Sequence, residues 1–269
     1  MGDTISITVD QKKKEYKKGT TYLEISSDFK DAYASDIILA SVDGRLQELN
    51  EKAEKDANVE FIQVSNPDGY RTYCRGLVFV MLKAVYTVLP YKKLDKVSVQ
   101  FSVGNGRYCE IEGDVQVTEE LLKKIEIEMR EIIAQDIKIR KYSINTEEAK
   151  NMFEYYGMMD KKKLFEYRRV SKANIYDLDG FRDYFYGYMP PSTGMLSYFS
   201  MELCDEGFIL QLPERMEPTK VSKWENRPKL FQTLRESKDW GKMMEVDTVG
   251  ALNDVIASGD IQNLILVQE

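Results

Sequence analysis

With 269 residues, 43% apolar and 31% charged, the chain can hold one large or two modest cores and has the composition of a folded protein. Its formal net charge of -7 speaks against a protein held to nucleic acid mainly by its overall charge, while leaving local basic patches open. It contains no histidine, which excludes Ser-His-Asp triads, Cys-His dyads, imidazole proton shuttles and His-bearing zinc sites.

Residues 1–66 read as a small unit. Ile5, Ile7 and Val9 alternate with polar residues as a half-buried strand does, and Asp10 with Lys12–Lys14 makes a charged turn into a return strand at Glu15–Tyr16. Thr20 or Thr21 caps a helix that buries Leu23, Ile25 and Phe29. Ile37–Val42 is a strand, Asp43-Gly44 a hairpin signal, and Val59–Val64 a closing strand. This order fits a ubiquitin-like β-grasp. Lys12, Lys13, Lys14, Lys17 and Lys18 read first as a solvated hairpin tip, with phosphate contact as the alternative.

The stretch Asp68–Pro90 follows, apolar on nearly every side from Leu77 to Leu89 and stopped by Pro90. It reads as a buried helix, too short to cross a bilayer, which needs ~20 apolar residues. Val97, Val99, Phe101 and Val103 alternate with polar residues, and Gly104-Asn105-Gly106 turns the chain into Arg107–Glu112. A three-residue loop would set Phe101 opposite Cys109 and Val99 opposite Ile111, apolar against apolar. Thr118 caps a helix with Leu122, Ile125, Met129, Ile132 and Ile133 on one face. Ile137–Ser143 is a short strand, and Thr146 caps a helix closed by Gly157. Lys161–Lys163 with Arg168-Arg169 is the most basic run, again read as a solvated face before a phosphate contact. Residues 174–196, dense in aromatics and broken by glycine and proline, suit a loop folded over a cleft. Leu196–Cys204 and Phe208–Leu212 make a hairpin. The tail from Pro228 holds short helices, one capped by Thr248 and a last one from Asp260 to Glu269. Cys74, Cys109 and Cys204 are isolated and odd in number, which suits reduced thiols in a cytoplasm. No leader or membrane span is expected.

A β-grasp unit, then Asp68-Gly69 and Arg75 opening a buried helix, then the Asn105-Gly106-x-Tyr108 hairpin and a capped helix, resembles the N-terminal half of bacterial threonyl-tRNA synthetases. The resemblance implies an α+β fold: a TGS-like β-grasp domain at 1–66, a domain of the tRNA-synthetase editing type at 67–227 and a helical tail at 228–269. In that family the helix carries His-x-x-x-His and a later loop Cys-x-x-x-His. Here the first pair falls on Gly76 and Val80 and the second on Phe185 and Met189. The resemblance therefore implies a degenerate site, without metal and without catalytic residues. A residual pocket of Arg75, Tyr184, Tyr186 and Tyr188 would stack a base or hold a phosphate, or the aromatics would plug the old cavity.

The arrangement is also similar to the N-terminal region of bacterial uridine-kinase-like proteins, in which these domains precede a P-loop kinase. That similarity implies a non-catalytic regulatory module whose partner is its own kinase domain. ATP and magnesium would then be cofactors only of that domain, since no G-x-x-x-x-G-K-[ST] occurs in this chain. Two alternatives stand beside it. One is an aminoacyl-tRNA editing hydrolase working through carboxylates or water alone. The other is a tRNA- or RNA-binding module, which needs one basic face formed by Lys12–Lys18, Lys161–Lys163 and Arg168-Arg169.

Overall fold

The computed structural model describes residues 4–90 and 93–268. The first three residues of the opening unit and Glu269, the expected end of the last helix, lie outside that description. Among the described residues the fold is mixed α+β, with three sheets.

The first sheet is built from β1 (Thr4–Val9), β2 (Lys12–Lys17), β3 (Ile37–Val42), β4 (Arg45–Glu48) and β5 (Ala57–Gln63). Its order is β2-β1-β5-β3-β4, with β1 and β5 parallel and the remaining pairs antiparallel. Helix α1 (Tyr22–Ser27) packs on it, and its cap is Thr21: the Thr21 hydroxyl accepts from the Glu24 amide while the Glu24 carboxylate accepts from the Thr21 amide. Ile5, Ile7, Val9, Ile25, Val59 and Phe61 fill the space between helix and sheet.

Helix α2 (Pro67–Val88) begins earlier than the apolar run suggests. Asn66 caps it, accepting from the Asp68 amide, and Pro67 takes the first helical position, where a missing N–H costs nothing. Its N-terminal half leans on the first sheet. A Cβ on Gly69 would stand 2.0 Å from the Gln63 carbonyl oxygen, so only glycine permits this approach. Tyr73 and Leu77 share one core with Ile38, Leu39, Ile62 and Val64 of that sheet.

Next come β6 (Leu94–Val103), β7 (Gly106–Gly113), α3 (Glu119–Ala134), β8 (Arg140–Asn145), α4 (Thr146–Tyr155), α5 (Met159–Glu166), β9 (Lys172–Leu178), β10 (Phe181–Tyr184), β11 (Ser200–Cys204) and β12 (Gly207–Gln211). The chain then runs into α6 (Pro228–Met243), α7 (Val249–Ser258) and α8 (Ile261–Gln268). One sheet has the order β11-β12-β7-β6 and the other β10-β9-β8. Cys109, Ile111, Phe208 and Leu210 of the four-stranded sheet pack in one core with Leu77, Val80, Ile125 and Met129 of α2 and α3. On its other face Phe231 of α6 meets Tyr108 and Phe101, ring centres 4.9 and 5.5 Å away. Among the described residues no helix is long and apolar enough to cross a membrane.

Five expectations are corrected. Leu23, expected to be buried with Ile25 and Phe29, is 39% exposed on α1. The β6–β7 turn has two residues, Gly104 and Asn105, and Gly104 sits at φ +58, which suits glycine at the first position of a hairpin turn. The register therefore pairs Phe101 with Tyr108; a shift between Val99 and Phe101 then sets Val99 against Cys109 and Val97 against Ile111. Apolar pairing survives, reached by a bulge rather than a longer loop. The cap of α4 is Asn145, whose side chain accepts from the Glu147 amide, with Thr146 one residue inside. The strand expected from Ile137 starts only at Arg140. Half of the expected aromatic loop is a hairpin: Phe181 pairs with Leu178 across the turn Asp179-Gly180, both residues at positive φ.

Candidate functional site

The loop 185–192 leaves β10 and crosses α2, where two helical positions one turn apart receive it. Burial depresses the Arg75 guanidinium, which is spent on structure: Nε donates to the Tyr188 carbonyl at 2.9 Å and an Nη to the Thr72 hydroxyl at 3.2 Å. A Cβ on Gly187 would stand 2.7 Å from the Arg75 Cζ, so the loop backbone lies flat on the guanidinium. One turn on, Phe79 packs against Phe181 and Phe185, with centroids 5.8 and 5.1 Å away.

The four positions matched to metal ligands are placed as follows. Gly76 faces the loop, and a Cβ there would come within 2.5 Å of Pro190 Cγ and 3.1 Å of Leu196 Cδ1. Val80 is fully buried in the core. Phe185 lies over Phe79, and Met189 is buried with its amide hydrogen-bonded. Among the described residues no group of three or more Cys, Asp or Glu is placed to hold a metal ion.

The aromatic segment divides. Tyr184 turns towards α5, stacking edge-on against Phe165 at 4.9 Å and accepting from the Arg168 guanidinium at 2.6 Å. Tyr186 points into solvent, 86% exposed. Tyr188 packs against the main core. Phe185 and Tyr184 do reach one cavity, a cleft of about 630 Å³ between β6, α2 and α6 that Val78, Gln100 and Lys238 also line. Three of its lysines are paired: Lys96 with Asp160 at 3.7 Å, Lys161 with the buried Asp183, and Lys238 with Glu110.

Sequence reasoning missed the residues that fix the loop. Glu48, at the end of β4 and 5% exposed, sends its carboxylate across from the first sheet. Its Oε1 accepts from the Met189 amide at 2.9 Å and from the Tyr176 hydroxyl at 2.6 Å, and Lys141 lies 3.4 Å from Oε2. Burial, then the Glu48 charge, pushes the Tyr176 hydroxyl well above its ordinary range. Two residues on, the Asn50 amide donates to the Pro191 and Ile139 carbonyls at 2.9 and 3.3 Å. The alternation of β4 does place Glu48 on the face of Leu46, which packs against the main core, but its charge argues for solvent. The clue available was the two-residue spacing from Leu46.

The basic runs separate as well. Lys161, Lys162 and Lys163 are each engaged by a carboxylate, of Asp183, Glu154 and Asp254 respectively. Arg168 is stacked over Phe165 and Tyr184. The three lysines are thus neutralised locally, while Arg168 keeps its charge over the two rings and Arg169 is exposed with no ion pair among the described residues. On β2, Lys12, Lys13 and Lys17 are exposed and no ion pair among the described residues engages them.

Comparison with known proteins gives one consistent result. The chain is 31% identical to a threonine–tRNA ligase of Fusobacterium nucleatum over 184 residues, covering 66% of this chain and 28% of that protein. It is 29% identical to the threonine–tRNA ligase of Halalkalibacterium halodurans over 203 residues, covering 75% of this chain and 31% of the relative. For that of Symbiobacterium thermophilum the figures are 30% over 206 residues, 75% and 31%. The chain therefore spans less than a third of these relatives' length. No protein-family model matches it. These relatives overturn the uridine-kinase resemblance, and with it the regulatory module preceding a nucleoside kinase and the kinase-domain partner: the similarity runs to threonine–tRNA ligases instead.

Proposed function

We propose that this chain is a tRNA-binding module related to the N-terminal region of threonyl-tRNA synthetases. One observation carries the reading: similarity to threonine–tRNA ligases over two thirds to three quarters of the chain. The sheet order β2-β1-β5-β3-β4 around α1 supports reading the first unit as a TGS-like β-grasp. The four-stranded sheet backed by α2 and α3 supports reading the second as an editing-type domain.

Binding, rather than hydrolysis, is the proposed activity. A chain without histidine has no imidazole to ligate zinc or activate water. The Gly76 and Val80 positions are closed by Pro190 and the core. The proposed contact with phosphates lies on β2, where Lys12, Lys13 and Lys17 are exposed and enter no ion pair among the described residues.

Mobility-shift titration with tRNA at low and moderate salt tests this. The wild type is expected to bind with log K falling linearly in log salt, and Lys12→Ser/Lys13→Ser/Lys17→Ser to bind more weakly with a shallower slope, by about 0.7–0.9 for each phosphate no longer neutralised. Ser-tRNA incubated with the protein is expected to deacylate at the background rate. Absence of tRNA binding at low salt, or rapid deacylation, contradicts the proposal.

A further inference from the structure

The three-stranded sheet is only partly roofed. Ala173 and Ile175 of β9 are buried with Ala149 and Phe153 of α4 and Phe165 of α5. Past the end of α4 the same face lies open. Tyr142 of β8 stands directly opposite Ile175, and so on its face, yet is 41% exposed. Arg140, two residues back, shares that face. Arg140, Asp177 and Arg182 form one row across β8, β9 and β10.

This row carries more positive than negative charge. Asp177 is nearly buried, and its oxygens accept from the Arg182 Nε at 2.9 Å and from the Gly180 amide at 3.2 Å. Arg140 is exposed and enters no ion pair among the described residues. The Arg182 guanidinium also lies over the Tyr142 ring, 5.9 Å from its centre. Tyr156, the C-cap of α4, comes close to the same guanidinium. Tyr156 in turn meets Tyr155 edge-on at 5.2 Å, and Tyr155 is 84% exposed. A lone exposed ring is ordinary on a protein surface. Three rings and two guanidiniums joined in one patch, on a protein of net charge -7, make a local surface of unlike character.

That surface complements an unpaired nucleic-acid strand. Every base has a π-face that a tyrosine ring can stack on, which makes such platforms tolerant of sequence. Bases in a duplex hide those faces against one another. Phosphates between stacked bases find Arg140, whose charge no carboxylate engages among the described residues.

We propose that Tyr142, Tyr155 and Tyr156, with Arg140 and Arg182, bind an unpaired RNA strand by base stacking. The inference goes beyond the tRNA reading, uses no residue of β2 and stands on this surface alone.

Anisotropy titration of end-labelled octauridylate and octaadenylate, set against a blunt GC-rich RNA duplex of equal length, tests it. Both single strands are expected to bind more tightly than the duplex. Tyr142→Ser/Tyr155→Ser/Tyr156→Ser is expected to weaken them by about fivefold or more for each base that loses its ring, with the salt slope unchanged. Tyr142→Phe/Tyr155→Phe/Tyr156→Phe keeps the rings and should bind as the wild type does. Arg140→Ser should instead reduce the slope of log K against log salt by about 0.7, the value of one single-strand phosphate. Circular dichroism checks each fold, and Tyr155→Ser, at the most exposed of the three positions, carries the reading if the triple serine variant does not fold. Lys12→Ser/Lys13→Ser/Lys17→Ser should weaken tRNA binding and keep the preference for single strand over duplex, so the two readings fail separately. No binding of either strand, equal affinity for strand and duplex, or serine variants that bind the strands as the wild type does overturns the proposal.

Discussion

The Glu48 carboxylate accepts the amide proton of Met189 at 2.9 Å, joining residues 141 positions apart in the chain and tying the first sheet to the loop over α2. Both are nearly excluded from solvent. Glu48→Ala removes the acceptor for Met189 and Tyr176 together and leaves two buried donors, at an expected cost of about 2–4 kcal/mol. Glu48→Gln keeps an acceptor and should cost less. Urea denaturation monitored by tyrosine and tryptophan signals should show the larger loss for Ala. A loss of under ~0.5 kcal/mol for both would show that the loop is held without this carboxylate.

Gly76 is the tightest point of the same loop. Gly76→Ala places a methyl group 2.5 Å from Pro190 Cγ, a ring with little freedom to retreat. Overpacking of this kind typically costs about 1–3 kcal/mol. Thermal unfolding should register a lower Tm for Gly76→Ala, whereas Gly→Ala in the open should not show this packing cost.

Stability should fall on the alkaline side. Burial pushes Cys109 up to about 12 and Cys74 up to about 11, from 9.0 for a free thiol. Burial is also the first cause of the upward shifts of Tyr70, Tyr73, Tyr108 and Tyr176. All are protonated in both states near neutrality. Above about pH 9 the unfolded chain releases protons that the folded one retains, so the unfolded state is progressively favoured. Denaturation midpoints measured from neutral to about pH 11 should decline steadily from about pH 9. A flat profile would mean these groups are hydrated in the native protein.

The three thiols should react in two classes. Cys74 and Cys109 are buried, and Cys204, at the end of β11, is partly exposed. At mildly alkaline pH a disulfide reagent should modify Cys204 first, slowly because its thiol is raised to about 11, and reach the other two only on unfolding. Two thiols reacting quickly under native conditions would show that α2 opens.

Periodicity carried the helices: the face Leu122, Ile125, Met129, Ile132 and Ile133 of α3 is buried as its spacing dictates. Local chemistry narrowed the α1 cap to Thr20 or Thr21, of which the fold uses Thr21, and marked the Asp43-Gly44 hairpin. Where a choice depended on strand geometry, it failed: a two-residue turn and a bulge gave the β6–β7 register that composition alone would assign to a longer loop. Proximity was the least legible. That Arg75 meets Tyr188, that Phe79 meets Phe185 and that Glu48 reaches Met189 all follow from how α2 crosses loop 185–192, which no local pattern encodes. The lysines of 161–163 illustrate the same limit, since their carboxylate partners lie on α4, β10 and α7.

The most direct test of the tRNA-binding account is a fluorescence titration of labelled tRNAThr, competed by an unlabelled RNA hairpin of equal length. Saturable binding that the hairpin displaces poorly, and that Lys12→Ser/Lys13→Ser/Lys17→Ser weakens, is the predicted result. No binding at low salt, or displacement by the hairpin as effective as by tRNAThr itself, would contradict it.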